Sequence, residues 1–110
     1  MMYTYKATII NVIDGDTVDA IIDMGFKIHT TQRLRLNRID TEEMHDPNLE
    51  KRKLAVEAKE YLKNTLLNKE VIIETRKSDS FGRWLAEIVC EDININNVLL
   101  EKNLALLWKK

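Results

Sequence analysis

The chain has 110 residues, of which 45% are hydrophobic and 32% are charged. This length suits one compact domain and the apolar share can fill one core, so we expect a single domain over residues 1–110 and exclude a disordered chain. The 17 lysines and arginines nearly balance the 18 aspartates and glutamates, for a net charge of -1. This balance excludes a generally basic surface, so any phosphate binding has to come from locally placed arginines.

Two features bear on the compartment in which the chain works. No segment is long and apolar enough to span a membrane, and residues 1–6 lack the basic and apolar pattern of a signal peptide. We therefore expect a cytoplasmic protein, or a secreted one if a signal peptide precedes this sequence. The single cysteine, Cys90, excludes an internal disulfide, and its apolar neighbours predict a buried, unreactive thiol.

Two strands joined by a tight turn are predicted at the start of the chain. Residues 3–13 are rich in Thr, Ile, Val and Tyr, and strand-forming residues resume at 17–22. Between them, Asp14-Gly15-Asp16 is a turn signal, because Asp and Gly favour the backbone conformations of tight turns. The pattern predicts a β-hairpin, and on this pattern alone a plain turn is the commoner explanation of the two aspartates.

A third strand with two different faces is predicted after a second turn at residues 24–26. Here Leu34 and Leu36 alternate with Arg33 and Arg35, and alternate side chains of a strand point to opposite faces. We therefore expect the leucines to face the core and the arginines to share the other side.

A helix is predicted in the middle of the chain. Polar residues 40–46 predict a loop, and Pro47 suits the first turn of a helix. Apolar residues then recur at spacings of three and four until about Asn68, which predicts an amphipathic helix packed on the core. The expected buried stripe consists of Leu54, Ala58, Tyr61, Leu62, Thr65 and Leu66.

Two further strands and a short helix complete the pattern. The strands are predicted at 71–75 and 84–90, Asn96 is placed to cap a helix at 97–102, and Asn103 suits the left-handed residue that ends one. Five short strands with a helix between the third and the fourth match the element order of an OB-type barrel. The predicted fold class is α+β, a five-stranded OB-type Greek-key β-barrel with a main amphipathic helix and a short second helix.

Carboxylates and arginines lie at the ends of the predicted strands. Asp16 follows the hairpin turn and Asp40 the third strand, and two carboxylates that converge can bind a hard cation, which prefers oxygen ligands. Arg35 and Arg83 also lie near strand ends, and a guanidinium group can grip a phosphate through two parallel hydrogen bonds. Taken singly, each of these side chains is more often an exposed or carboxylate-paired surface residue.

Three motifs occur in a fixed order along the chain: VIDGDTV at residues 12–18, RLNRIDTEE at 35–43 and DSFGRWLA at 79–86. In this order they resemble the staphylococcal nuclease (thermonuclease-like) family. The resemblance extends from about Tyr5 to Ala105 in one register, and several motifs in family order are much harder to obtain by chance than one. The sequence ends at Lys110, without the final helix of longer family members.

The resemblance implies an activity and its partners. It implies a calcium-dependent nuclease that hydrolyses phosphodiester bonds of DNA or RNA by attack of water and leaves 3′-phosphate ends. Single-stranded or unpaired nucleic acid would be the preferred substrate, and Ca²⁺ the cofactor. No membrane partner is implied, and we assume a monomer.

Six residues stand at the functional positions of the family. A dication and guanidinium groups stabilise the charge that phosphorus gains in the transition state, and a general base activates the attacking water. Arg33 and Arg38 lie outside these positions and are expected to be ordinary surface residues. The resemblance implies that Asp16, Asp40 and the backbone carbonyl of Thr41 bind calcium, that Glu43 is the general base, and that Arg35 and Arg83 bind the phosphate.

Four positions depart from the family pattern, namely Glu42, Ser80, Phe81 and Trp84, and two of them bear directly on the site. Glu42 stands where the family has Pro, which puts a second carboxylate beside Glu43 that would compete for the metal or raise the proton affinity of Glu43. Phe81 stands where the family has Tyr, so it keeps a ring able to stack on a base but lacks the hydroxyl. Phe81 is therefore a candidate substrate-binding residue.

A function without catalysis remains an alternative to the nuclease. OB-type barrels often bind single strands without chemistry, so the alternative is a non-catalytic module that binds single-stranded nucleic acid. A purely structural domain would show no salt-dependent affinity for oligonucleotides.

Overall fold

The computed structural model describes residues 3–76 and 83–108. Within these residues, no helix combines the length and the apolar character needed to cross a membrane. The described elements, in chain order, are β1 (Tyr3–Asp14), β2 (Thr17–Asp23), β3 (His29–Leu36), β4 (Ile39–Asp40), α1 (Leu49–Leu66), β5 (Glu70–Arg76), β6 (Trp84–Cys90), β7 (Ile93–Asn94), α2 (Ile95–Glu101) and β8 (Leu106–Leu107).

Five of the described strands close into a barrel. The sheet runs in the order β3-β2-β1-β5-β6 through antiparallel pairs, and β3 then pairs with β6 in parallel to close it. The parallel pairs include Leu34 with Trp84 and Leu36 with Ala86. The predicted α+β class, with a five-stranded OB-type barrel and two helices, is confirmed.

The long strand β1 serves two neighbours. Its pairs with β5 begin at Tyr3, and its pairs with β2 continue to Asp14. Its register against β2 shifts between Ile9 and Asn11 and again after Val12, and such irregularities bend a strand and increase its twist. The bend allows β1 to curve around the barrel.

Helix α1 packs its small and aliphatic side chains on the barrel, but two details of its prediction are wrong. It begins at Leu49 and not at Pro47, because the Asn48 side chain accepts hydrogen bonds from the Glu50 and Lys51 N–H groups at 2.9 and 3.3 Å. The buried stripe runs through Ala55, Ala58, Leu62 and Leu66, whereas the predicted Leu54 is exposed.

Helix α2 corrects the predicted role of Asn96. The cap is Asn94, whose side chain accepts from the Asn97 N–H, while Asn96 lies inside the helix and is fully buried. Asn103 follows with φ +58°, so its predicted left-handed conformation is confirmed. The Cys90 thiol is buried, as predicted.

Candidate active site

The turn between β1 and β2 is wedged against two other parts of the fold. A Cβ atom added at Gly15 would lie 2.6 Å from the Ala58 Cβ and 2.9 Å from the Thr41 Cγ2. The Asp14 carboxylate accepts a hydrogen bond from the Asp16 N–H at 3.1 Å, which closes the turn. Glycine is therefore required for close packing here, and this packing holds the turn that carries Asp16 against helix α1 and Thr41.

Two of the predicted metal ligands converge on one atom. Arg35 Nη2 lies 3.2 Å from an oxygen of Asp40 and 3.5 Å from an oxygen of Asp16. The same Asp16 oxygen accepts from the Thr41 N–H at 3.3 Å. The hairpin brings the groups together because Thr17, next to Asp16, pairs with Arg35 across β2 and β3. The structure thus places Asp16, Asp40, Thr41 and Arg35 in one cluster.

The environment of Arg35 differs from its prediction. Arg35 was expected on the face of β3 opposite the core, yet it is only 7% exposed, while Arg33 on the same face is exposed and pairs with Asp19. Arg35 Nη1 donates to the carbonyl oxygens of Leu36 and Ile39, both at 2.9 Å. The chain after β3 therefore folds back over the arginine, which strand alternation cannot reveal.

The two aspartates of the hairpin turn have opposite pKa shifts. Burial, followed by the hydrogen bond and charge of Asp16, raises the pKa of Asp14 to about 6. Burial also acts to raise the pKa of Asp16, but hydrogen bonding with Asp14, the charge of Arg35 and the Thr41 N–H outweigh it and hold this pKa below its ordinary value. Asp16 is thus the carboxylate that is kept ionised.

A small pocket adjoins this cluster. It measures about 220 Å³ and is lined by Asp14, Asp16, Thr41 and residues 42–45, among others. Glu43 is exposed, and Glu42, the departure from the family pattern, is partly buried. The Asp46 N–H donates to the Glu43 carbonyl oxygen at 3.2 Å and shapes the loop that carries both glutamates. Asp16 and the predicted base thus border one space.

Arg83, the other predicted phosphate-binding residue, lies immediately before β6. Arg83 is partly buried and precedes Trp84, which pairs with Leu34 of β3. Phe81, the candidate substrate-binding residue, lies outside the described residues. Within the described parts of the chain, no three acidic, histidine or cysteine side chains are grouped to hold a metal ion.

Two polar interactions behind the site have no specific signal in the sequence. The Asn96 amide donates to the carbonyl oxygens of Asn37 and Ala86, both at 3.0 Å, and so holds the turn between β3 and β4. Arg38, expected to be an ordinary surface residue, donates to both oxygens of Glu87 at 2.6 and 3.0 Å. No local sequence signal distinguishes this Asn from a helix cap or this Arg from a solvated one.

Comparison with known proteins decides the family. The family profile described as staphylococcal nuclease homologue matches residues 33–110. The thermonuclease of Staphylococcus hyicus is 36% identical over 104 residues, which cover 93% of this chain and 57% of that protein. The chain belongs to the staphylococcal nuclease family. The family predicted from the three motifs is therefore confirmed.

The chain is also similar to a second, uncharacterized protein. An uncharacterized protein of Bacillus anthracis is 31% identical over 107 residues, which cover 94% of this chain and 48% of that protein. The chain thus spans about half the length of the curated relatives it matches. Membership supports a nuclease-type function acting on nucleic acid, while the activity of the whole protein is a matter for proposal.

Proposed function

We propose that the protein is a calcium-dependent nuclease that hydrolyses phosphodiester bonds of DNA or RNA, prefers single strands and leaves 3′-phosphate ends. We propose further that it works as a monomer. The observation that carries the proposal is the convergence of the Asp16 and Asp40 carboxylates on one nitrogen of Arg35. A cationic nitrogen already occupies the point where these two anionic groups meet.

The donor set at this point suits a hard cation. Such ions take carboxylate, carbonyl and water oxygens, and the cluster offers the carboxylates of Asp16 and Asp40 with Thr41 beside them. The lowered pKa of Asp16 keeps a negative ligand available. Calcium, when bound, would supply positive charge that stabilises the negative charge developing on the phosphate.

The arginines would bind the phosphate. Arg35 Nη1 is committed to two carbonyl oxygens, so its Nη2 edge is the part able to exchange a carboxylate partner for a phosphate oxygen. Arg83 would approach from the start of β6, the strand that pairs with β3. Both guanidinium groups would stabilise the transition state more than the substrate.

Glu43 would accept the proton of the attacking water. Its loop borders the pocket that also reaches Asp16, which leaves space for a water between the base and the phosphate. Glu42 lines the same pocket, so a second carboxylate lies beside the proposed base.

The test is cleavage of a labelled single-stranded DNA by the folded protein, with calcium and with a chelator. The proposal expects calcium-dependent products with 3′-phosphate ends, and a loss of roughly 100- to 10,000-fold in rate for Glu43→Gln. Glu60→Gln, on the exposed side of α1, is the matched control. A folded parent that does not cleave, but binds the strand as well as Glu43→Gln does, would replace the nuclease with the non-catalytic strand-binding module.

A further inference from the structure

The C-terminal strand places an aromatic ring on the arginine of the site. The centre of the Arg35 guanidinium lies over the Trp108 ring, 4.8 Å from its centroid. The backbone N–H of Trp108 donates to the Arg38 carbonyl oxygen at 2.8 Å. Just before it, β8 pairs with β4, with Leu106 opposite Asp40. The ring is therefore anchored through the same strand that carries a proposed metal ligand.

The exposure of residues 106–108 differs from what simple hydrophobic packing predicts. Leu106 and Leu107 are 69% and 57% exposed, whereas Trp108 is partly buried. A strand that served only to cover the barrel would be expected to bury its leucines, because burial of a leucine side chain is favourable. Here the two leucines face solvent and the tryptophan lies against a cation, which indicates that the contact with Arg35 is the principal feature of the segment.

The contacts of Arg35 define the geometry that Trp108 completes. Nη1 donates hydrogen bonds to the carbonyl oxygens of Leu36 and Ile39, and Nη2 faces the carboxylates of Asp16 and Asp40. These contacts fix the edges of the group, and the indole fixes its face. A cation over an aromatic ring is attracted to the negative face of the ring, more strongly when water is excluded, and Arg35 is 7% exposed.

The geometry points to Trp108 as a positioning residue for Arg35. It covers one face of the guanidinium and holds its plane, so that the Nη2 edge stays directed at the phosphate position when its carboxylate partners are taken by a cation. Preorganised donors of this kind need no rearrangement as charge develops. This inference rests on the proposed nuclease function, and the readouts below separate the two.

The first experiment compares Trp108→Leu, Trp108→Phe and Trp108→Tyr with the parent protein. Trp108→Leu should lower kcat/KM roughly 5- to 30-fold, while Phe and Tyr, which keep an aromatic face, should restore most of the loss. Tyr61→Leu is the matched control, because Lys102 lies over the Tyr61 ring at 5.7 Å and the substitution removes the same kind of contact elsewhere. Circular dichroism establishes that each variant is folded.

A double-mutant cycle tests whether Trp108 acts through Arg35. Arg35→Lys removes the planar group that stacks, so Trp108→Leu should have little additional effect on the rate in that background. If Trp108→Leu acted only by reducing the amount of folded protein, it would instead lower the rate by the same factor in the Arg35→Lys background as in the parent. Equal effects of Trp108→Leu with and without Arg35, or equal losses in the Leu and Phe variants, would overturn the inference.

A spectroscopic readout separates this inference from the nuclease proposal. The Arg35 Nε–H resonance, assigned by its loss in Arg35→Lys, should be shifted by the indole ring current in the parent and return toward its ordinary position in Trp108→Leu, but not in Tyr61→Leu. If the parent does not cleave, the nuclease proposal fails. The double-mutant cycle is then measured through the affinity for a single-stranded oligonucleotide and not through the rate. An unshifted resonance in the parent would overturn the role of Trp108 whatever the activity.

Discussion

The side-chain amide of Asn96 is fully buried and is hydrogen-bonded at both ends. Its nitrogen donates to the Asn37 and Ala86 carbonyl oxygens, and its oxygen accepts from the Ile88 N–H at 3.1 Å. The Asn37 bond also supports the next residue, Arg38, which has φ +70°, a conformation that costs energy in residues other than glycine. The amide thus holds the turn that leads from Arg35 to Asp40.

Replacing Asn96 with Ala should strongly destabilise the fold. The change leaves two carbonyl groups and one N–H group without this partner in the interior, so we expect a loss of about 2 to 4 kcal/mol in the free energy of unfolding. Urea unfolding followed by circular dichroism measures it. Asn97→Ala, an exposed neighbour in α2, should cost much less. Similar costs for the two variants would contradict the assigned role of Asn96.

The ion pair of Arg38 and Glu87 predicts a pH dependence of stability. Burial acts to raise the pKa of Glu87, but hydrogen bonds from Arg38 and Asn94 and the charge of Arg38 lower it below the ordinary value of 4.5. A lowered carboxylate pKa means that the folded state binds the proton less tightly than the unfolded state. The stabilisation is therefore present above the ordinary pKa and is lost as the pH falls through the lower, folded-state pKa.

Glu87→Gln should reproduce this loss at neutral pH. We expect the variant to be about 1 kcal/mol less stable than the parent at pH 7, and the difference to narrow as the pH is lowered through the carboxylate range. Thermal unfolding over a series of pH values measures both. Glu60→Gln should track the parent throughout. If the stability difference between the parent and Glu87→Gln widened as the pH fell, the predicted direction of the pH dependence would be wrong.

At the scale of elements, the candidate active site depends on how closely the hairpin turn approaches helix α1. Gly15→Ala would bring a Cβ to 2.6 Å from the Ala58 Cβ, so the turn or the helix has to move. We expect a loss of about 1 to 3 kcal/mol and reduced calcium-dependent cleavage, because Asp16 follows Gly15 directly.

The second-site change Ala58→Gly tests the cause. It removes the nearest clashing atom, so the double variant should be more stable than the sum of the two single effects predicts, although Gly in a helix itself costs about 1 kcal/mol. Gly25→Ala is the control: Gly25 has φ +79° and nothing within 4 Å of an added Cβ, so its strain should not respond to Ala58→Gly. Strict additivity at positions 15 and 58 would show that the contact with Ala58 is not the cause of the loss.

The elements themselves were largely predictable, and the errors have one physical origin. Alternation located β3 and spacing located α1, because local periodicity records which face meets the core. The helix buries Ala55 where Leu54 was expected, and Ala58 is its contact with Gly15. Both residues are small because the helix closely approaches a distant turn. Such a contact between residues far apart in sequence leaves no periodic signal.

At the scale of the whole molecule, the candidate site was predicted through the order of its motifs and not through its geometry. The resemblance named Asp16, Asp40 and Arg35 together, and the structure places them in contact. Neither spacing nor composition indicated that Arg35 is buried or that Trp108 covers it. The burial of Arg35 depends on the chain after β3, whose carbonyl oxygens it contacts, and the position of Trp108 depends on the pairing of β8 with β4, which joins the end of the chain to its middle.

The same convergence predicts that calcium stabilises the whole molecule. Two carboxylates are held in the folded state at one point and are separated in the unfolded chain, so an ion that they bind favours folding. At a calcium concentration about 100 times the dissociation constant, the gain should be about 2.7 kcal/mol, seen as a rise in melting temperature that a chelator reverses. Asp40→Asn should abolish the rise in melting temperature. The Asp40 side chain is 57% exposed, so the variant should fold.

The control for this measurement is a second arginine–aspartate pair, formed by Arg33 of β3 and Asp19 of β2. Asp19→Asn removes the carboxylate that pairs with Arg33 but leaves the cluster around Arg35 intact, so the calcium-dependent rise should persist. Arg35→Lys should retain a rise as well, because the oxygen ligands remain. If Asp19→Asn lost the rise to the same extent as Asp40→Asn, calcium would be acting through the general negative charge of the surface and not through the point where Asp16 and Asp40 meet.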